Sequence, residues 1–248
     1  MLAALRHRSL LLAAALRRSI PCCCALCGCS AASTLCPGCR QRYLTPPGAT
    51  ARCGQCAMSL PKGAGTKVCG NCLRRPPAFD ATLVVTDYGP PLAQLVLDLK
   101  FGAQLALAPL FGSLLAQTLQ RQPRTAWPDM LAPVPLGRQR LTERGFNQAL
   151  EIARTLAREL ALPLHARLLE RCRDTAPQTL LAPGERRANL RRAFSVPPTS
   201  LDRVRGRHVG IVDDVITTGV TLDEIAATLK RAGAARVTCL AFARTPRR

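Results

Sequence analysis

The pattern of apolar and polar positions changes repeatedly between two periods over the last two thirds of the chain. Short runs rich in β-branched residues predict strands, and longer segments with apolar residues three and four apart predict helices. The predicted strands are residues 81–88, 129–134, 208–212 and 236–244, and the predicted helices are residues 92–101, 105–119, 147–162 and 221–232. Strands that alternate with helices predict an α/β fold with an open, mostly parallel sheet flanked by helices.

Two segments fall outside this pattern. Residues 171–194 are rich in arginine and lack periodicity, which predicts a long loop of the kind that closes over a site or binds a ligand. Residues 1–20 contain an apolar stretch, Leu10 to Leu16, that is too short to span a bilayer and is followed by two arginines instead of a signal cleavage site. We expect a poorly ordered or short helical extension over residues 1–20, no membrane span and a cytoplasmic location.

Most of the cysteines lie between the extension and the α/β region. Eleven of the thirteen are found between residues 22 and 72, and eight of these form C-x-x-C pairs. The pairs are Cys24/Cys27, Cys36/Cys39, Cys53/Cys56 and Cys69/Cys72. A C-x-x-C turn directs two thiolates at one tetrahedral ion, so four pairs predict two structural Zn²⁺ ions. The spacing leaves open whether sequential, nested or crossed pairs share an ion.

A disulfide framework and a redox site account less well for these cysteines. A disulfide framework belongs to secreted proteins, and the sequence shows no export signal. A redox site needs a single C-x-x-C pair, whereas this segment has four in about fifty residues. The predicted organisation is therefore an extension over residues 1–20, a double zinc-ribbon module over residues 21–78 and an α/β domain over residues 79–248, with the linker at Arg74–Pro77.

Charge is distributed unevenly along the chain. The formal net charge is +20, and residues 1–79 carry 11 basic residues and no acidic one. Such an excess favours anionic partners, which include phosphorylated small molecules and nucleic acid. Eight thiolates and two Zn²⁺ ions would lower the charge of the zinc module from +11 to about +7. The module either binds single-stranded DNA or, as we favour, mainly replaces a hydrophobic core that so small a segment cannot build.

The stretch VGIVDDVITTGVTL, residues 209–222, carries the clearest chemistry. It places Asp213 and Asp214 at the end of an apolar strand and a glycine-containing turn before a helix. Ligands of parallel α/β sheets bind at this end of the strands, and a helix N-terminus binds phosphate. Paired carboxylates accept hydrogen bonds from adjacent hydroxyls. A phosphate next to a diol describes ribose 5-phosphate, whereas a receiver-domain phosphoacceptor or a chance turn accounts for only part of the stretch.

The stretch IVDDVITTGVT resembles the phosphoribosyl pyrophosphate (PRPP) motif of type I phosphoribosyltransferases. The chain from about residue 24 to its end is also similar to the ComF family, which includes GntX-like proteins. Further matching residues are Leu99–Phe101, Pro133–Pro135, Arg144–Gln148, Arg171, Thr175, Gln178, Arg186, Asn189 and Ala243–Thr245. The resemblance implies a type I phosphoribosyltransferase fold with an N-terminal zinc ribbon, and a link to competence and DNA uptake.

The resemblance also implies a set of site residues. The candidate PRPP contacts are Lys100, Arg138, Arg144, Arg171, Arg186, Asp213, Asp214, Val215, Thr217, Thr218, Gly219, Val220 and Thr221, and Arg140 and Arg173 are two further arginines near the predicted pyrophosphate site. The candidate catalytic residues are Asp213, Asp214 and Arg144. The two acids would hold the ribose hydroxyls and oppose positive charge at C1, and Arg144 would contact the pyrophosphate, to which Mg²⁺ binds.

Two functions follow from these residues. The first is an enzyme that transfers ribose 5-phosphate from PRPP to an acceptor that the sequence does not name. The second is a protein that retains the fold to sense PRPP or a nucleotide, or to handle single-stranded DNA, without turnover. The sequence indicates no oligomeric state.

Overall fold

The computed structural model describes residues 22–44, 51–61, 63, 66–172 and 192–246. The chain divides into two compact units, residues 1–48 and 49–248. The predicted zinc module is therefore shared between the units, because two C-x-x-C pairs belong to each. The predicted extension over residues 1–20 and most of the predicted loop, with Arg173, Thr175, Gln178, Arg186 and Asn189, lie outside the described residues.

The first unit contains one hairpin and one helix among its described residues. Strands β1 (Cys22–Cys23) and β2 (Ser30–Ala31) pair antiparallel, and helix α1 (Pro37–Leu44) follows. These elements are short, and their sequence offers few large apolar side chains. A unit of this kind needs a cross-link or a metal ion to stabilise it.

The second unit is the α/β domain. Its described helices are α2 (Gly70–Arg74), α3 (Leu92–Phe101), α4 (Leu107–Gln120), α5 (Arg138–Arg144), α6 (Gln148–Leu160), α7 (Leu201–Val204) and α8 (Val220–Arg231). Its described strands are β3 (Ala81–Asp87), β4 (Met130–Pro133), β5 (Glu170–Arg171), β6 (Phe194–Ser195), β7 (His208–Ile216) and β8 (Arg236–Arg244). Within the described residues, β3, β8, β7 and β4 form a parallel sheet in that order, which confirms the predicted fold class.

Three details of this unit differ from the prediction. Strand β7 runs four residues past its predicted end, because its parallel ladder with β8 continues to the pair Ile216 and Arg244. Helix α5 was not predicted, because its sequence RQRLTER has no apolar period and its residues are not buried. The ends of the predicted 171–194 loop pair antiparallel as β5 and β6.

Helices cover both faces of the sheet. On one face, Phe111 of α4 stacks on Phe242 of β8 with ring centroids 3.8 Å apart. Helix α4 approaches α6 closely at Gly112, where a Cβ atom would lie 2.7 Å from the carbonyl oxygen of Ile152. On the other face, α8 packs its apolar side against β7 and β8. Buried helices on both faces leave the strand ends as the place where polar side chains meet solvent.

A helix that crosses a bilayer needs about 20 mainly apolar residues. Within the described residues, no helix is both long and apolar enough to cross a membrane.

Candidate functional site

The two adjacent aspartates lie inside strand β7 rather than beyond its end. Successive side chains of a strand point to opposite faces of a sheet, so Asp213 and Asp214 cannot face the same way. Asp213 is partly buried and lines a hollow beside helix α8. Asp214 is 2% exposed, and its Oδ2 atom lies 2.5 Å from Nζ of Lys100, at the end of α3. Among the described residues, that oxygen accepts no hydrogen bond and has Lys100 as its ion-pair partner.

The hollow beside Asp213, which we call the turn hollow, has a volume of about 200 Å³ that is partly open to solvent. Its lining includes Asp213, Val215, Thr217, Gly219 and Thr221. The hollow therefore brings together five of the predicted PRPP contacts. The hollow is polar and lies where a parallel sheet presents its carboxyl edge.

The turn below this hollow has the geometry of an anion-binding loop. Gly219 has a φ of +85°, a conformation that favours glycine, and helix α8 begins at Val220. The Val220 amide donates a 3.4 Å hydrogen bond to Oγ1 of Thr218. Thr217 and Thr218 are exposed, so their hydroxyls can reach a ligand. The first turn of an α-helix carries amide groups without intrahelical partners and a positive dipole end, which together favour a phosphate.

Arg244 supports the same turn from below. Its side chain is buried at 3% exposure, and it donates to the carbonyl oxygens of Ile216, at 2.9 Å, and Thr217. Its Nε atom donates a 3.0 Å hydrogen bond to the carbonyl oxygen of Cys56. Arg244 is among the residues that match the ComF family, but no role was predicted for it from the sequence. The signal that could have found it is an arginine at the end of an otherwise apolar buried strand.

A larger cavity, which we call the cationic cavity, lies on the other side of Lys100. It encloses about 1460 Å³ including space open to solvent, and Lys100, Arg140 and Arg144 line it. Its aromatic lining consists of Tyr88, Phe101 and Phe146, which are not among the predicted PRPP contacts. Phe101 is 75% exposed, although it is a large apolar side chain. The cavity therefore combines positive charge with aromatic surface, a combination that suits an anionic group attached to a flat ring.

Arg144 is held in place within this cavity. Its Nη1 atom donates a 2.6 Å hydrogen bond to Oε1 of Gln148, and its guanidinium lies 5.4 Å from the ring centroid of Phe101. Burial lowers the pKa of Arg144, and the negative charge of Asp214 partly opposes that effect by raising it. An arginine remains charged in proteins, so the cavity keeps a positioned cation.

The other predicted residues differ in position. Arg138 is exposed at the start of α5 and is not among the residues that line the cavity, whereas Arg140 is. Arg171 lies in β5, where its guanidinium is 5.7 Å from the ring centroid of Phe194. Asn147 caps the N-terminus of helix α6: its Oδ1 accepts a 3.0 Å hydrogen bond from the Ala149 amide. Asn147 thus has a structural role. The predicted contact Arg186 lies outside the described residues.

The electrostatics of Asp213 follow from its surroundings. Burial raises the pKa of Asp213 well above its ordinary value, and the neighbouring charge of Asp214 raises it further. Lys100 acts in the opposite direction by lowering that pKa. The carboxylate of Asp213 therefore gains most from a ligand that donates hydrogen bonds to its ionised form.

The described cysteines form two groups of four that could each hold a metal ion. The groups are Cys24, Cys27, Cys36 and Cys39 (the first tetrad) and Cys53, Cys56, Cys69 and Cys72 (the second tetrad). This is the sequential pairing of the alternatives that the spacing left open. Within each tetrad the sulfurs lie within 4.8 Å of one another, and in both tetrads one pair across the two turns is 3.7 Å apart. A tetrahedral Zn²⁺ with Zn–S bonds of about 2.3 Å places its sulfurs about 3.8 Å apart, so both tetrads fit zinc.

Backbone amides stabilise the thiolate form in both tetrads. The Cys36 amide donates to Sγ of Cys24 at 3.4 Å, and the Cys69 amide donates to Sγ of Cys53 at 3.2 Å. Burial alone would raise the pKa of Cys24, but three backbone amides that donate to its sulfur lower the pKa to about 6. Burial also raises the pKa of Cys69, but hydrogen bonds to its sulfur lower that pKa to about 7. Thiolates are the form of cysteine that binds Zn²⁺.

Comparison with known proteins adds three observations. A family described as phosphoribosyl transferase domain matches residues 147–248. DNA utilization protein YhgH of Escherichia coli O157:H7 is 39% identical over 196 residues, which cover 78% of this chain and 84% of that protein. Competence protein F of Haemophilus influenzae is 34% identical over 213 residues, which cover 85% of this chain and 90% of that protein.

Solved structures resemble this chain more distantly. Glutamine PRPP amidotransferase from B. subtilis, complexed with ADP and GMP, has a TM-score of 0.35 and 24% sequence identity. The similarity covers 53% of this chain and 25% of that one.

Proposed function

We propose that this chain, which belongs to the family of competence protein F and DNA utilization protein YhgH, binds PRPP and transfers ribose 5-phosphate from it to an acceptor. The observation that carries the proposal is that adjacent residues of strand β7 connect the turn hollow with the cationic cavity. Asp213 lines the turn hollow, and the next residue, Asp214, holds Lys100 in the cationic cavity. PRPP carries a phosphate at one end of a ribose and a pyrophosphate at the other, so it can occupy both sites together.

The 5-phosphate fits the turn hollow. The start of α8 supplies amide donors from a helix of twelve residues, and the hydroxyls of Thr217, Thr218 and Thr221 supply further donors. Gly219 allows the close approach of the backbone to an anion. A phosphate in this position would gain both hydrogen bonds and the favourable dipole of the helix.

The ribose fits above Asp213. The ionised carboxylate accepts hydrogen bonds from the ribose hydroxyls and opposes positive charge that develops at C1. Asp214 has a different role in this proposal from the one that the motif suggested. It is buried and paired, so we assign it the positioning of Lys100 rather than direct contact with the sugar.

The pyrophosphate fits the cationic cavity, where Lys100 and Arg144 supply the main positive charge and Arg140 adds to it. Mg²⁺ bound with PRPP would neutralise further charge on the departing group. In the transfer, the bond from C1 to the pyrophosphate oxygen breaks, that oxygen keeps the electron pair, and the acceptor forms a new bond to C1 and loses a proton to solvent. Lys100 and Arg144 stabilise the charge that grows on the departing pyrophosphate.

The acceptor would enter along the aromatic lining of the cationic cavity. Phe101 is exposed and lies beside Arg144, and rings of this kind bind nucleobases by stacking. The names of two relatives concern DNA utilization and competence. We therefore propose nucleobases and single-stranded DNA as the first acceptors or ligands to test, in a cytoplasmic setting.

The test follows PRPP binding and pyrophosphate release on one zinc-loaded sample. PRPP and Mg²⁺ are mixed with the protein and with a panel of nucleobases, amines and single-stranded DNA. Saturable PRPP binding with release that requires one member of the panel supports the transferase. Binding without release for every member supports a PRPP sensor instead. Absence of PRPP binding contradicts both.

A further inference from the structure

The buried guanidinium of Arg244 joins two parts of the second unit that are far apart in sequence. One group of contacts is with the carbonyl oxygens of Ile216 and Thr217, which lead into the turn hollow. The other is with the carbonyl oxygen of Cys56, 188 residues away in the sequence. A guanidinium offers five N–H donors in a planar fork, so one side chain can hold both segments in a fixed relation.

The Cys56 end of this bridge belongs to the second tetrad. Sγ of Cys56 lies 3.7 Å from Sγ of Cys69, and the next residue, Ala57, is 1% exposed and packs in the main core of the α/β domain. The Gly54 carbonyl accepts a 3.3 Å hydrogen bond from the Thr82 amide of β3. This C-x-x-C turn is therefore built into the α/β domain, and its backbone is fixed when its thiolates share a metal ion.

The other end of the bridge sets the direction of amide groups in the turn hollow. A trans peptide is planar, and its N–H points opposite to its C=O. The carbonyls of Ile216 and Thr217 point towards Arg244, so the amides of Thr217 and Thr218 point away from it. Thr217 lines the turn hollow. Arg244 thus aims these amides at the place where we propose the 5-phosphate binds.

We propose that Arg244 is a positioning residue that couples the second tetrad to the phosphate-binding turn. It holds the turn in its binding conformation when the Cys56 carbonyl is fixed by a metal-bound tetrad, and it loses this hold when the tetrad is empty. The ligand-binding consequence rests on the proposed function of the turn. The mechanical consequence, a turn that loosens when the tetrad loses its metal, does not depend on PRPP.

Hydrogen–deuterium exchange of the segment 216–220 tests the coupling in the full chain without any ligand. The variants are Cys69→Ser, which disables the second tetrad, Arg244→Lys, which keeps the charge but not the planar fork, and the double variant. Each single substitution should speed exchange in the segment about tenfold, the effect of losing a hydrogen bond to a charged group. The double variant should exchange no faster than the faster single variant.

Arg236→Lys is the matched control, because Arg236 is exposed at the opposite end of the same strand, β8. It should leave exchange in the segment unchanged. If the effects of Cys69→Ser and Arg244→Lys on the exchange rate multiply in the double variant, the two substitutions act independently and the proposal is overturned. Unchanged exchange in the Cys69→Ser variant overturns it as well.

Wild-type protein provides a second measurement in case Arg244→Lys does not fold. Removal of Zn²⁺ with a chelator should speed exchange in the segment about tenfold, and addition of Zn²⁺ alone should restore it. Exchange that is indifferent to Zn²⁺ overturns the coupling. PRPP affinity is then measured on the same samples. If metal-loaded wild type binds no PRPP, the proposed function fails, while the exchange data still decide the coupling.

Discussion

The ammonium of Lys100 lies 2.5 Å from Oδ2 of Asp214, and this ion pair divides the paired aspartates into two different groups. Asp214 is buried and paired with Lys100, whereas Asp213 lines the turn hollow. Alternation along β7 makes this division unavoidable, since neighbouring residues of a strand face opposite sides of the sheet. One acid is available to a ligand, and the other positions a cation.

Replacing Lys100 with methionine should destabilise the α/β domain. The substitution keeps much of the side-chain volume but leaves Asp214 as a buried charge without its partner. Loss of one member of a buried pair typically costs about 3–5 kcal/mol of unfolding free energy. Urea unfolding of the Lys100→Met variant at neutral pH measures this loss.

The double variant Lys100→Met with Asp214→Asn is the control, because it removes the unpaired charge. It should regain at least half of the stability that Lys100→Met loses. If the two substitutions simply add, the ion pair contributes no coupling energy, which contradicts the role given to Asp214.

Asp213 should make PRPP binding depend on pH. Its pKa is raised by burial and by Asp214, so the carboxylate becomes protonated as the pH falls through that raised pKa. The protonated form is a poorer acceptor for ribose hydroxyls, and PRPP affinity should therefore fall with pH. Calorimetric titrations at a series of decreasing pH values, starting from pH 8, measure the change.

The Asp213→Asn variant separates this effect from protonation of the ligand's own phosphates. It should bind PRPP at least about tenfold more weakly at pH 8 and lack the part of the pH dependence that comes from Asp213. Because the folded-state pKa is raised, the carboxyl's stabilising contribution is present at low pH and lost as the pH rises through that pKa. Asp213→Asn should accordingly be no less stable than wild type at pH 8.

Gly219→Ala should weaken PRPP binding through backbone strain. Gly219 has a φ of +85°, and the nearest atom to an added Cβ, on Ile216, is 3.9 Å away, so the substitution causes strain without a clash. A left-handed conformation costs a non-glycine residue about 1–2 kcal/mol, which the turn can relieve by moving. Calorimetry should show PRPP affinity several-fold lower than in wild type.

Gly206→Ala is a matched control for this strain. Gly206 has a φ of +67°, and among the described residues no atom lies within 4 Å of the position that its Cβ would occupy. It should lose a similar amount of stability but keep wild-type PRPP affinity. Equal affinities for the two glycine variants would contradict a specific role for the turn at Gly219.

The two tetrads should respond separately to loss of a thiolate. Cys36→Ser and Cys69→Ser should each reduce the zinc content from two ions per chain to one, as measured by metal analysis. The second tetrad is part of the α/β domain, because Ala57 packs in its core and Arg244 bonds to Cys56. Cys69→Ser should therefore lower the unfolding temperature of that domain by at least about 5 °C.

Cys36→Ser should spare that transition, because the first tetrad belongs to the other compact unit. Differential scanning calorimetry distinguishes the two cases. An equal fall of the main transition in both variants would show that the tetrads stabilise one common structure.

Much of the fold could be predicted from the sequence, because apolar periodicity and turn-forming residues are local features of the chain. The parallel sheet, its main helices and the turn at Gly219 were predicted from short stretches. The C-x-x-C spacing likewise predicted two metal sites, and the structure has the sequential pairing. Helix α5 was missed because an exposed helix carries no apolar period.

What the sequence could not provide were relations across the sheet. The extension of β7 depends on its pairing with β8, and it places Asp214 inside the strand, where it pairs with Lys100. The role of Arg244 depends on three carbonyl groups from two distant segments. The aromatic lining of the cationic cavity is assembled from residues that lie far apart in the sequence, such as Tyr88 and Phe146. Spacing within one segment cannot predict such contacts.

The central claim is that one PRPP molecule occupies the turn hollow with its 5-phosphate and the cationic cavity with its pyrophosphate. Titration of ribose 5-phosphate and of pyrophosphate with Mg²⁺, each into wild type, Asp213→Asn and Arg144→Met, tests this claim most directly. Asp213→Asn should weaken ribose 5-phosphate binding about tenfold and Arg144→Met should weaken pyrophosphate binding about tenfold, each with little effect on the other fragment. Both fragments responding to the same variant, or neither responding to either, would contradict it.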